Sequence, residues 1–228
     1  LMESERESDG IALYYSMPSV HAATMHGYHQ RASDDDDEPA DKARLSFAAN
    51  RDGWVKTIKD LGLQFDFVSS QDVAAKGISN EKYKVLILPL VFALSNEEVR
   101  HIEEFVSRGG VVVADSSPGV LNQHCSWQMS DAVNKLFGIT AADSSKRELK
   151  LLAGDIRKPS TAGWTLASND FTGLRAAEAD IHAASGATAL LQIAGTDAAI
   201  VNNRGKGWTV YLNTTWDQYP KQRATNFG

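Results

Sequence analysis

Residues 83–114 read YKVLILPLVFALSNEEVRHIEEFVSRGGVVVA, and three patterns follow one another along them. Tyr83 to Pro89 is too dense in Val, Ile and Leu for a strand with one face in water, so it reads as a strand of a parallel sheet covered on both faces. Ser95-Asn96-Glu97-Glu98 is a capping box: the serine hydroxyl accepts from a first-turn amide while the glutamate reaches back to the cap. A helix starts there. Val99, Ile102, Phe105 and Val106 fall on one helical face as its buried stripe, and Gly109-Gly110 supplies a residue free to take the left-handed stop. Val111 to Ala114 is then the next strand, and strand, helix, strand in this order is the repeat of an open α/β sheet.

The same reading extends outward. Upstream, Ile11 to Tyr15 is an apolar run opening into Ser16, Met17 and Pro18, as a buried strand does where it meets a loop. From His21 to about Arg44 there is no periodicity, and the acidic run Asp34 to Glu38 is flanked by Ser33 and Pro39; a long exposed loop is expected. Phe47, Trp54, Val55, Ile58 and Leu61 share one face of a helix that Gly62 stops. Gln64 to Val68 follows as a strand, expected with the Tyr83 strand to be central and parallel. Downstream, a short helix over 130–137 ends at Gly138. Short runs at 149–152, 164–167, 188–194, 198–203 and 208–213, divided by turn signals, then predict antiparallel strands that extend the sheet or form a small layer beside it. A terminal helix is expected from Thr215 onward. The fold class is therefore α/β, an open doubly wound, mainly parallel sheet with additional antiparallel strands in the C-terminal part. One domain over 1–228 is expected, with a βα core at 11–138 and a β-rich extension at 139–228.

A chain of 228 residues buries roughly three quarters of its unfolded surface, so such a fold needs no staples. The single cysteine, Cys125, forms no internal disulfide. With 23 basic residues against 29 acidic ones and a net charge of −6, the sequence argues against a nucleic-acid surface. No stretch reaches the roughly 18 apolar residues of a spanning helix, and the N-terminus is acidic where a signal peptide is basic. A soluble chain with no membrane partner is expected, its compartment unknown. The absence of Met at position 1 and the stop at Gly228 suggest a piece of a longer polypeptide.

Asp115-Ser116-Ser117-Pro118-Gly119 has the outline of the sharp turn that holds a nucleophile above a strand. Such a serine needs a histidine base and an acid to orient it. Downstream, His124 lies too near in sequence, while His182, with Asp180 close by, sits in an Ala-rich stretch. Cys125 beside His124 is a second nucleophile candidate, though adjacent side chains point apart and a free cysteine is ordinarily a small buried hydrophobe. His21, His26 and His29 have no ligand spacing on a regular element, and Asp34 to Glu38 lacks the donors and glycine of a calcium loop. Neither a metal nor a cofactor is expected. Gly205-Lys206-Gly207 joins two strands and reads as a hairpin turn, not a phosphate loop.

Taken in order, the strand Ile11 to Tyr15, the helix ending at Leu61-Gly62, the strand Phe65 to Val68, the run Tyr83 to Pro89, Leu94-Ser95 and its helix, and Gly109-Gly110 with Val111 to Val113 resemble the trimerisation domain of family 42 β-galactosidases. The likeness covers residues 11–120, with a weaker echo from Gly205 to Asn213. It implies a class I glutamine-amidotransferase-like fold in which the strand-end place of the active cysteine is held by Asp115, Ser116 and Ser117. It also implies that the catalytic glutamates belong to a separate barrel, and that this domain serves trimeric self-association and borders a sugar site. The acidic loop 33–38 and the segment 148–186 depart from the family pattern. Two further readings stand beside it: a self-contained hydrolase using Ser117 or Cys125, and a sugar-binding module of the same fold. The ligand crevice expected beyond the strand ends has Ser16, Ser69, Ser116 and Ser117 as its candidate lining, with carbohydrate as an open partner.

Overall fold

The computed structural model describes residues 8–25, 46–128, 131–141, 152–159 and 174–220. In chain order its elements are β1 (Ile11–Tyr15), α1 (Met17–Met25), α2 (Phe47–Asp60), β2 (Phe65–Ser69), α3 (Ser70–Lys76), β3 (Val85–Leu88), α4 (Asn96–Ser107), β4 (Val111–Ala114), α5 (Asp131–Phe137) and β5 (Ile139–Thr140). Then come β6 (Ile156–Arg157), β7 (His182–Ala183), β8 (Thr188–Ile193), β9 (Thr196–Arg204) and β10 (Gly207–Leu212). Among the described residues one eight-stranded sheet runs β2-β1-β3-β4-β10-β9-β8-β6, and β5 pairs with β7 apart from it. Pairing is parallel from β2 through to β10 and antiparallel from β10 to β6.

The dense apolar runs have the physical cause the sequence suggested. In β1, Ala12 and Tyr14 join a core with Val73 of α3, Ile102 and Phe105 of α4 and Leu136 of α5, while Ile11 and Leu13 face Trp54 and Ile58 of α2. Leu86 and Leu88 of β3 divide from Ile87 in the same way. Alternate side chains thus meet helices on both faces, so every position must be apolar. Helix α4 carries the predicted capping box, and Glu98 also accepts the hydroxyl of buried Tyr14, so one carboxylate both caps the helix and ties it to β1. Gly110 leaves room for the Phe105 ring, which a Cβ there would meet at 2.3 Å.

Several expectations are corrected. Residues 17–25 are helix α1 and not the start of a loop; the turn forms around Ser19, Ala22 and Ala23, which are buried but too small to give a hydrophobic period. His26, His29 and the acidic run 34–38 lie outside the described residues. Strand β2 is parallel but lies at the sheet edge instead of its centre, leaving Phe67 56% exposed. Helix α3, begun by the Ser69 cap, had no expectation attached to it. The downstream strands do extend the sheet, but β10 is antiparallel only to β9 and runs parallel to β4. Leu152 makes only an isolated bridge to Ala176, and residues 149–151 and 164–167 lie outside the described set. From Thr215 the chain turns, with helical geometry only at 219–220 before the described residues end. The hairpin at Gly205-Lys206-Gly207 is present, and a Cβ on Gly207 would lie 2.1 Å from the Gly110 carbonyl oxygen.

Candidate functional site

The carboxyl ends of β1, β2, β3 and β4 open onto one end of the sheet, where an α/β fold keeps its ligand sites. Polar side chains gather there at the ends of β1, β2 and β4, where Ser16, Ser69 and Ser116 bond to neighbouring polar groups. Ser16 follows β1 and is buried; its hydroxyl is 2.9 Å from Ser19 Oγ and within reach of the Ala93 carbonyl, and the Ala93 N–H donates to Ser19 Oγ. Ser69 ends β2, accepts from the Asp72 N–H and donates to the Asp72 carboxylate, which these bonds and Lys76 hold below the usual carboxylate range.

After β4 the chain enters the predicted turn. Ser116 is buried and donates to the Thr214 carbonyl at 2.8 Å. Ser117 takes a left-handed backbone, φ 56°, as a nucleophile turn does, but its N–H donates to Glu178 Oε1 at 2.9 Å. The Tyr211 hydroxyl donates to the same oxygen at 2.6 Å, and Asn213 accepts from the Glu178 N–H and donates to its carbonyl. Among the described residues no histidine bonds Ser117: His124 is exposed in a loop capped by Asn122, and His182 is exposed on β7. Cys125 is half-buried and points its thiol at the Pro18 carbonyl. No group of three His, Cys, Asp or Glu residues among the described ones could hold a metal ion.

The four candidate serines are therefore all at strand ends, but their hydrogen bonds divide them into separate clusters. Sequence reasoning missed the deepest group. Asp115 is fully buried; its Oδ2 accepts from Asn50 Nδ2 at 2.7 Å and Trp54 Nε1 at 2.8 Å, and its Oδ1 from the Leu90 N–H. Leu90 is itself left-handed at φ 42°, so Asp115 holds a strained turn in place. Burial pushes the Asp115 carboxyl up to about 7, against the downward pull of its hydrogen bonds. An acidic residue directly after VVVA, and Asn50 one helical turn from Trp54, were the available signals. Glu178 lay in a stretch without pattern.

The β-galactosidase trimerisation-domain family matches the chain over residues 20–224. No curated protein is significantly similar in sequence. Among solved structures, the β-galactosidase from Rahnella sp. R3 superposes with a TM-score of 0.66 at 20% identity, covering 96% of this chain and 31% of its own. The β-galactosidase from Halorubrum lacusprofundi gives 0.66 at 16% identity, over 99% of this chain and 30% of that one. An exo-β-1,4-mannosidase from Opitutaceae bacterium strain TAV5 gives 0.56 at 14%, over 96% and 34%. The chain thus spans about a third of the length of the structures it resembles.

Proposed function

Because the chain belongs to the β-galactosidase trimerisation-domain family, we propose that it is a non-catalytic module of a longer glycoside hydrolase of β-galactosidase type. In this reading it holds copies of that protein together as a trimer and borders a sugar site built by a separate catalytic barrel. The observation that carries the reading is the family match across nearly the whole sheet, from α1 to the turn after β10. The strand-end chemistry agrees with it. Glycoside hydrolysis needs two carboxyl groups facing across one bond, whereas Asp115 and Glu178 are each committed to internal donors. The stretch 1–228 acts as one module, its βα half at 11–138 and its β-rich half at 139–228. Of the four crevice candidates Ser69 alone is not buried, so contact with a sugar from the strand-end side falls to the rim near Ser69.

Light scattering of the purified chain over a range of concentrations tests the association. A mass approaching three times that of one chain is expected, and a monomer at every concentration would overturn the trimer reading. Aryl galactosides and simple esters should not turn over. Turnover lost in Ser117→Ala or Cys125→Ala would instead make the chain a hydrolase in its own right.

A further inference from the structure

We propose that the outer edge of β2, with the aromatic rings on its α2 side, is the surface by which one copy of this chain docks on another. The proposal rests on the trimer reading above and names the face that carries it. Of the seven large apolar side chains exposed among the described residues, Leu61, Leu63 and Phe67 lie together between the end of α2 and the middle of β2. Their exposures are 68%, 37% and 56%, so the apolar area there is contiguous along the chain.

This exposure has a physical cause. Strand β2 ends the sheet, so among the described residues only β1 pairs with it and its outer backbone edge has no partner strand. Helix α2 packs Trp54 and Ile58 over Ile11, Leu13 and Ile87 of β1 and β3, and of β2 only Phe65 joins that cluster. Phe67, in register with Leu13, stands beyond the helix. Sheets guard an open edge with charge. On the α3 side β2 does so through Asp66, which pairs with Lys82. On the α2 side it presents Phe65 and Phe67 instead.

The rings are also held in place. Phe67 lies edge-to-face with Phe65 at 5.3 Å and with Tyr15 at 6.5 Å between centroids, each pair with planes 85° apart. The Arg51 guanidinium sits 5.4 Å from the centre of the Tyr15 ring. A partner thus meets fixed aromatic area beside an arginine, the residue types that anchor protein interfaces, and little further ordering is needed. A sugar site adds precisely placed polar groups around its rings, whereas the side chains set against Phe67 are two more aromatic rings. The occupant that fits is a second copy of this chain, because the trimerisation-domain match covers both α2 and β2. In a ring of three, each copy's patch meets a different face of the next copy, so one such row per chain suffices.

The test compares the whole chain with Phe67→Glu by light scattering over a range of concentrations, with circular dichroism to check the fold. The wild-type mass should approach three chains, and the variant should need at least about tenfold more protein to associate. A wild-type trimer that Phe67→Glu leaves unchanged would overturn this surface and leave the trimer reading standing. A wild-type monomer at every concentration would overturn both. A dimer that the variant weakens would support the surface and overturn the three-fold reading. Should the variant not fold, hydrogen exchange on the wild-type chain decides. Amides of residues 63–69 that gain roughly tenfold protection from dilute to concentrated solution support the surface, and unchanged protection there overturns it.

Discussion

At Asp115 two opposed effects act on one carboxyl group, and the larger sets its response to pH. Complete burial favours the acid, three donors favour the anion, and burial wins, placing the group at about 7. The folded value lies above that of the unfolded chain, so between about 4 and about 7 the folded state binds the extra proton. The associated stability is fully present below about 4 and is lost as pH rises to about 7, a change of a few kcal/mol by linkage. Urea melts of the wild-type chain and Asp115→Asn should therefore show the wild-type advantage to be larger at pH 5 than at pH 8; equal differences at both would refute the raised value. Asp115→Ala leaves three buried donors without an acceptor and should cost about 2–5 kcal/mol at either pH. From the sequence, Asp115 was visible as the residue that ends an apolar strand. Its partners Asn50, Trp54 and Leu90 lie 65, 61 and 25 positions away, and no local pattern joins positions that far apart.

Elements were legible where their signals were local. Helix α4 has an amphipathic stripe, a capping box and a double-glycine stop within its own sequence, and it is built as that pattern requires. Helix α1 buries Ser19, Ala22 and Ala23, so its inner face carries no large apolar residue to reveal a period. The position of β2 at the edge depends on which strand β1 takes as its other neighbour, which is a property of the whole sheet. These differences give graded expectations for substitution. Phe105→Ala should cost about 3–5 kcal/mol, since the ring is fully buried between β-strand side chains and Gly110. Glu103, which pairs with Arg204 in the open, should lose less than about 1 kcal/mol as Gln. Denaturant melts separate the two outcomes, and similar losses at both would mean that α4 is not packed on the sheet.

Across the whole molecule the decisive strand is β10. It is the last strand among the described residues, yet it lies between β4, the last of the early parallel strands, and β9, the start of the antiparallel half. Its Trp208 to Tyr211 pair with Val111 to Ala114 on one side, and Gly207 to Leu212 pair with Arg204 to Ala199 on the other. Tyr211 is fully buried in the core that α4 and α5 form against the parallel strands, while Val210 and Leu212 pack on the cluster of β8 and β9. Removing β10 would leave an open edge on β4 and on β9 at once. The sequence showed both halves by their change of rhythm at Gly138 but not that the last strand joins them, because a strand looks the same whichever neighbour it finds. If the two halves act as one unit, they should melt together. Tryptophan fluorescence, dominated on the α2 side by the Trp54 and Trp216 pair, and far-UV circular dichroism, which reports the whole sheet, should give coincident urea transitions. Tyr211→Ala, which empties the shared core, should shift both midpoints down by the same amount, for a loss of about 3–5 kcal/mol. Two separated transitions, or a variant that moves only one of them, would mean that the β-rich half folds apart from the βα half and that β10 merely docks between them.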